Sequence, residues 1–413
     1  MSLKSRITLM NFLQFFVWGS WLTTFGGYMG EVLHFSGGQI GAVYATMGLA
    51  SLFMPTLMGI IADKWINAER LYGMSHIAGG ALLLWASFTK DYNTLYWIMF
   101  LVSVSYMPTI ALNNTVSYSI LEHNGYDVVK EFPPIRVWGT VGFIAAMWMI
   151  DLLGLHLKPS QLYIASGTAF ALGLYAFTMP ACPPENKSKG GSFISMLGLD
   201  ALVLLKNRRM LVFFIYAMLL GAALQVTNTF GVPFLDSFKS TYADSFAVKH
   251  PNILMSASQI SETLFILTIP FFLKRFGIKK VMLMSMFAWV LRFGLFGIGN
   301  PGSGFVFLLL SMIIYGMAFD FFNISGSLFV ETEADPAIRG SAQGLFMLVT
   351  NGLGAYLGGM GSGIVVDMFT KGQARDWPSI WFTFSAYALL IALTFMVLFK
   401  YKHNPDAVKN LKH

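Results

Sequence analysis

The sequence predicts an all-α membrane protein with twelve transmembrane helices in two six-helix halves. Of its 413 residues, 55% are hydrophobic and 11% are charged, and its mean hydropathy is +0.62. Soluble domains average about 25% charged residues. Apolar stretches of about 20 residues recur along the chain, each long enough to cross roughly 30 Å of hydrocarbon. They lack the alternating ten-residue pattern of an outer-membrane barrel, so the sequence favours a helical bundle.

Twelve apolar segments are the predicted membrane spans. The longest internal polar segment follows the sixth span and carries Pro, Gly, Ser and basic residues, which is typical of a linker. We therefore expect an N-terminal six-helix bundle at 1–180, a cytoplasmic linker at 181–208, a C-terminal six-helix bundle at 209–401 and a cytoplasmic tail at 402–413. The predicted spans are approximately 6–30, 38–62, 71–89, 94–120, 133–154, 160–180, 209–234, 254–273, 279–298, 303–330, 338–367 and 378–400.

The basic residues predict the orientation of these spans. With both termini inside, 19 of the 27 lysines and arginines fall in cytoplasmic segments and 6 fall on the opposite side. This bias follows the positive-inside rule. Basic segments that face anionic headgroups of the lipid bilayer also account for the net charge of +7, so no nucleic-acid partner is needed.

Motifs for other kinds of chemistry are missing from the sequence. The single cysteine, Cys182, cannot form an internal disulfide. No glycine-rich phosphate loop with its Lys-Ser/Thr indicates ATP as an energy source, and the seven histidines lack metal-ligand spacing. A membrane-embedded enzyme would need a nucleophile–base pair or a metal cluster. We therefore expect no enzyme activity, no metal and no cofactor, with the proton as coupling ion.

The turn after the second span, Gly59–Lys64, resembles the Gly-x-x-x-Asp-Arg/Lys loop of the major facilitator superfamily. The resemblance implies that Asp63 and Lys64 form a conformational latch at the cytoplasmic ends of helices. A shift of 211 residues aligns this pair with Lys274 and Arg275 after the eighth span, as a weak internal repeat. Repeated halves are typical of rocker-type transporters, whose binding site is expected at the midplane between the halves. The major facilitator fold is therefore the predicted architecture.

Three charged residues lie inside otherwise apolar spans: Arg136, Glu262 and Asp320. A charge at the bilayer centre costs several kcal/mol, with estimates from about 2.5 upward, so each one indicates a substrate or ion path. Arg292 also lies inside a span. We expect it to pair with a helix end or an acidic neighbour, and we do not count it as a site residue.

Four helical faces combine polar and aromatic side chains, because residues three, four or seven apart lie on one side of a helix. Their amides and carboxylates pair with sugar hydroxyls and base edges, and their rings stack on a flat base. This chemistry suits a neutral polyhydroxylated ligand with a planar part. The candidate binding residues are Arg136, Thr140 and Phe143 in span 5, Gln225 and Asn228 in span 7, Gln259 and Glu262 in span 8, and Tyr315 and Phe319 in span 10.

The two acids are the candidates for proton coupling. A carboxylate buried in a membrane helix can load and release a proton near neutrality. Asp320 lies about 100° around its helix from Phe319, off the aromatic face. We therefore expect Asp320 to carry the proton, with Glu262 as the second candidate, so that one acid couples and the other binds.

Three segments resemble the bacterial nucleoside:proton symporter family, a branch of the major facilitator superfamily: Phe132–Thr140, Ser258–Leu264 and Ala318–Gly326. The likeness is greatest to the broad-specificity permeases of that family. It implies that the nine candidate residues bind the nucleoside and that Asp320 matches the acid associated with proton coupling. It also implies nucleosides such as uridine and adenosine as substrates, a monomer, and a location in the bacterial cytoplasmic (inner) membrane with both termini in the cytoplasm.

The sequence therefore predicts a proton-coupled nucleoside importer that works by alternating access. One alternative is a sugar or oligosaccharide symporter of the same fold, because sugars also stack on aromatic rings. A second alternative is a passive nucleoside facilitator, which would not need Asp320 to titrate.

Overall fold

The computed structural model describes residues 1–184, 199–372 and 374–401. Residues 185–198 of the predicted linker 181–208 and the whole predicted tail 402–413 lie outside the described residues. The described chain is built almost entirely of helices, and its one sheet is a two-residue antiparallel pair, β1 (Thr370–Lys371) with β2 (Ala374–Arg375). The predicted all-α fold class is confirmed.

Eight helices form the first part of the chain. A π-helical turn at Tyr28–Val32 extends the second of them. The helices are α1 (Leu3–Gly19), α2 (Phe25–Gly27), α3 (Gly37–Ser51), α4 (Met54–Lys64), α5 (Ala68–Phe88), α6 (Tyr92–His123), α7 (Val128–Leu152) and α8 (Ser160–Ala176).

Ten further helices follow a 3-10 segment at Leu199–Lys206. A π-helical segment at Leu348–Gly354 joins two of them. The helices are α9 (Arg208–Asp236), α10 (Lys239–Tyr242), α11 (Phe246–Lys249), α12 (Pro251–Ile266), α13 (Ile269–Phe276), α14 (Ile278–Ile298), α15 (Phe305–Glu333), α16 (Arg339–Met347), α17 (Ala355–Met368) and α18 (Trp377–Leu398).

Each of the twelve predicted spans falls on one helix or on a broken pair of helices. Within the described ranges, eight helical segments are long and apolar enough to cross a membrane, and the pair α12–α13, bent by 55°, makes a ninth. The remaining predicted spans are also helical, but they consist of α1 with α2, of the 17-residue α8, and of α16 with α17. The bend of α12–α13 falls beside Pro270, at the start of α13.

The chain divides into two compact units. Unit 1 comprises Met1–Leu197 with Asn228–Pro233, and unit 2 comprises Gly198–Thr227 with Phe234–His413. Glycines allow the close helix packing inside each unit. A side chain at Gly142 of α7 would place its Cβ 2.2 Å from the Phe12 carbonyl oxygen of α1, so the two backbones touch there. In the same way, a Cβ added to Gly221 of α9 would lie 2.1 Å from the Thr350 carbonyl oxygen.

Candidate functional site

In unit 1, α7 carries the predicted binding face. The Arg136 guanidinium lies over the Phe15 ring of α1, with its carbon 4.2 Å from the ring centroid. Gly139 creates the space for this contact, because a Cβ there would lie 2.6 Å from the Phe15 ring and 2.7 Å from Nη1 of Arg136. A cation over an aromatic face gains about 0.5–2 kcal/mol. Arg136 and Thr140 are both half-buried.

Phe143 extends this face into a row of aromatic rings. Its ring meets the Trp18 ring edge-on at 6.2 Å, and Trp18 lies 5.7 Å from the ring of Tyr106. Within the described chain, the buried Nε1 of Trp18 has no hydrogen-bond partner. An unpaired buried indole N–H costs free energy. Trp18 and Tyr106 were not predicted as site residues.

Next to this row, hydrogen bonds of Gln14 connect its own helix, α1, to α5 and α6. Its Nε2 donates to Thr109 at 2.9 Å, and its Oε1 accepts from the Tyr72 hydroxyl at 2.7 Å. Nε2 of His76 lies 2.8 Å from the same oxygen and therefore carries the hydrogen. The Tyr106 hydroxyl donates to the backbone oxygen of Gln14 at 2.7 Å. This neutral network is buried and satisfied, which rigidifies the unit around the aromatic row.

In unit 2, Gly316 brings α15 against α12. A Cβ at Gly316 would lie 2.6 Å from the Ser261 carbonyl oxygen and 2.9 Å from the backbone nitrogen of Glu262. The Ser261 hydroxyl in turn donates to the carbonyl of Ile313 on α15. This close approach brings the predicted face of span 8 next to that of span 10.

Tyr315 lies at the centre of this second group. Its ring stacks on Phe319 at 5.9 Å with an interplanar angle of 2°, and Trp289 of α14 meets it edge-on at 6.1 Å. The Tyr315 hydroxyl lies near the side chain of Gln259 and interacts electrostatically with Glu262. The structure therefore brings together four predicted residues: two parallel rings, which we call the aromatic wall, with an amide and a carboxylate near the Tyr315 hydroxyl.

Asp320 lies beside this wall. It is 4% exposed, and among the described residues its Oδ2 has no hydrogen-bond partner. Its charge interacts with that of Glu262. The structure therefore places the two predicted coupling acids within electrostatic range of each other.

Arg292 is the charged residue whose surroundings the sequence did not predict. It is 1% exposed, and its Nη1 donates to the Ser311 carbonyl at 2.8 Å and to the Ser258 hydroxyl at 3.3 Å. Its guanidinium carbon lies 4.5 Å from the Tyr315 ring centroid. Within the part of the chain that the structure describes, it forms no ion pair. The expected pairing with a helix end or an acidic neighbour was wrong, because mid-helix carbonyl, hydroxyl and aromatic groups hold this cation.

The remaining candidates lie on α9 and α4. Gln225 is buried, and Asn228, one turn further along α9, is half-buried and falls in the part of that helix grouped with unit 1. Asp63 and Lys64 are exposed at the end of α4. Nearby, the carboxylate of Glu69 is buried and accepts the backbone N–H of Cys182 at 2.8 Å, which fastens the start of α5 to the segment after α8. The sequence signal for Glu69 is its place in the basic turn that opens α5.

No cluster of three metal-ligating side chains occurs within residues 1–184, 199–372 and 374–401. Charge, hydrogen bonding and aromatic stacking are the chemistry that the two groups offer.

Comparisons with known proteins concern the chain as a whole. The family described as nucleoside H+ symporter matches residues 1–404. The xanthosine permease of Escherichia coli (strain K12) is 55% identical over 413 residues, which is 99% of each chain. The nucleoside permease NupG of the same organism is 52% identical over the full length of both chains.

Solved structures of transporters are similar to this chain in fold. The crystal structure of nucleoside transporter NupG has a TM-score of 0.93 at 52% identity, and the match covers 97% of this chain and 100% of that one. A peptide transporter POT, at 14% identity and a TM-score of 0.72, shares the fold alone.

Proposed function

The chain belongs to the nucleoside H+ symporter family, and we propose how its residues divide the work of a proton-coupled nucleoside importer. It is a multi-pass transporter of the major facilitator fold, and it is not an enzyme. The proposal concerns which side chains bind the nucleoside, which one carries the proton, and which nucleosides are transported.

We propose that the nine candidate residues bind the nucleoside. Tyr315 and Phe319 offer a parallel aromatic wall, on which base stacking contributes about 1–3 kcal/mol. Gln259 and Glu262, near the Tyr315 hydroxyl, have the donors and acceptors for ribose hydroxyls or a base edge. The other five contribute a cation, a hydroxyl, a further ring and two amides: Arg136, Thr140, Phe143, Gln225 and Asn228.

Asp320 is proposed as the residue that carries the proton, with Glu262 as the second candidate. The observation that carries this assignment is the buried Oδ2 of Asp320, which has no hydrogen-bond partner in the described chain and lies near a second acid. An ionised carboxylate in that position is costly, whereas a protonated one is neutral. Binding a proton from outside and losing it to the cytoplasm would then accompany the change of state.

The proposal also covers the substrates, the conformational latch, the oligomeric state and the membrane location. Uridine and adenosine are proposed substrates, and the likeness to a xanthosine permease makes xanthosine the most informative third nucleoside. Asp63 and Lys64 are proposed as the latch on the cytoplasmic side. We propose a monomer in the inner membrane, with both termini in the cytoplasm, as the distribution of basic residues predicts.

Uptake by purified protein in liposomes tests the substrate assignment. With an imposed gradient, acidic outside, we expect uphill uptake of uridine and adenosine that collapses when the gradient is dissipated. Unlabelled nucleosides, including xanthosine, compete in the order of their affinity, whereas ribose and maltose do not. Competition by the sugars alone would contradict nucleoside binding. A rate of uptake that is the same with and without the proton gradient would contradict proton coupling.

A further inference from the structure

Arg292 is buried in α14, outside the residues to which the proposed function assigns a role. A buried arginine in a membrane helix is expensive and by default indicates function. Its hydrogen bonds and its ring contact with Tyr315 come from two neighbouring helices. Ser258 belongs to α12, Ser311 and Tyr315 belong to α15, and the Ser311 hydroxyl donates back to the Arg292 carbonyl at 2.9 Å.

Tyr315 is a neighbour of Arg292 that the proposed function also uses. The guanidinium lies over its ring at 4.5 Å, and Trp289, one turn earlier on α14, meets the same ring edge-on. The ring is thereby contacted from the α14 side, while its hydroxyl lies near Gln259. Phe319 stacks on it at an interplanar angle of 2°.

We propose that Arg292 is a positioning residue, which holds the Tyr315 ring parallel to Phe319 so that the aromatic wall is formed before the nucleoside binds. This inference rests on the proposed role of Tyr315 in nucleoside binding. A planar guanidinium stacks on an aromatic face and donates hydrogen bonds in the same plane, which an ammonium group cannot do. A preformed wall increases affinity because the ring's rotational freedom is lost on folding and not on binding.

The prediction is a loss of nucleoside affinity that depends on Tyr315. Arg292→Gln is expected to raise the Kd for uridine about tenfold, the effect of losing roughly one well-placed cation–π contact. Arg292→Lys should restore part of the affinity, because it keeps the charge but not the flat surface. Uridine binding to purified protein in detergent is the measurement.

A double-mutant cycle separates positioning from general damage. If Arg292 acts through the Tyr315 ring, Arg292→Gln added to Tyr315→Leu should change the Kd less than twofold, because the ring is already gone. Additive effects, or an unchanged Kd in Arg292→Gln alone, would overturn the proposal. If Arg292→Gln does not fold, Arg292→Lys replaces it in the same cycle with the same criterion.

Two controls complete the experiment. Ser285 ties α14 to α15 by donating to the Ala318 carbonyl, a bond that does not involve the Tyr315 ring, so Ser285→Ala should lower thermal stability with no change in Kd. Tyr315→Leu alone tests the premise. If it leaves uridine binding unchanged, the proposed binding role of Tyr315 fails. If it weakens binding while Arg292→Gln still acts in its absence, only the positioning role fails.

Discussion

The two units hold an arginine in similar ways but differ in what surrounds it. In unit 1, Arg136 lies over the ring of Phe15, and the preceding residue, Gln14, is the centre of a neutral hydrogen-bonded network. In unit 2, Arg292 lies over Tyr315, which interacts with two carboxyls, and one buried carboxyl oxygen of Asp320 has no partner in the described chain.

This difference suggests a division of labour. A buried polar network that is fully hydrogen-bonded favours one arrangement and resists change. A buried carboxyl with an unsatisfied oxygen responds to its protonation state, because the charged form is far more costly than the neutral one. Unit 1 therefore has the features of a rigid binding wall, and unit 2 has the features of a wall that also couples to protons.

The largest expected effect tests the coupling side of the comparison. Asp320→Asn should reduce uphill nucleoside uptake about 100-fold or more, because a permanently neutral residue cannot exchange a proton. Counterflow, which needs no net proton movement, should stay within about threefold of the unchanged protein. Uptake of labelled uridine into liposomes measures both.

The matched control for that variant is Glu333→Gln on the same helix. Glu333 pairs with Arg209 at 2.9 Å at the C-terminal end of α15, so the same chemical change should leave uphill uptake intact. Equal losses in the two variants would show that charge on α15, and not the position of Asp320, determines coupling.

An intermediate effect tests the rigidity of unit 1. Gln14→Leu removes the acceptor of Tyr72 and His76 and the donor to Thr109, so it should lower the free energy of unfolding by about 2 kcal/mol. A fall in melting temperature of the detergent-solubilised protein is the readout. Thr109→Val removes one of those bonds and should cost less. An unchanged melting temperature in Gln14→Leu would show that the network does not stabilise unit 1.

The smallest expected effect tests the aromatic row. Phe143→Leu should raise the KM for uridine about threefold with little change in maximal rate, because part of a stacking surface is lost. Phe132→Leu is a close control on the same helix, since both rings are 9% exposed and Phe132 packs on Tyr118 instead. A similar KM change in both variants would indicate a general effect of α7 packing.

The sequence predicted the helices and the composition of each site face well, because apolar length and helical spacing are local properties. Arg136 and Phe143 are on one side of α7 as expected. The ring that holds Arg136 was not predictable, since Phe15 lies on another helix and reaches the guanidinium only because Gly139 leaves space.

The surroundings of the charged residues in unit 2 could not be predicted from the sequence, for a similar reason. Gly316 next to Tyr315 is the local signal for a close approach of two helices, but the sequence does not say which helix approaches. The network around Gln14 and the contacts of Arg292 likewise depend on residues from three helices. The break between α12 and α13 had a local signal in Pro270, which the span prediction passed over.

The central claim is that Asp320 carries the proton while the aromatic and polar walls bind the nucleoside. Nucleoside-induced proton movement tests it most directly, measured with a pH-sensitive dye in liposomes when uridine is added to one side. The account predicts a proton signal in the unchanged protein and none in Asp320→Asn, with uridine binding retained in both. A proton signal of normal size in Asp320→Asn would contradict it.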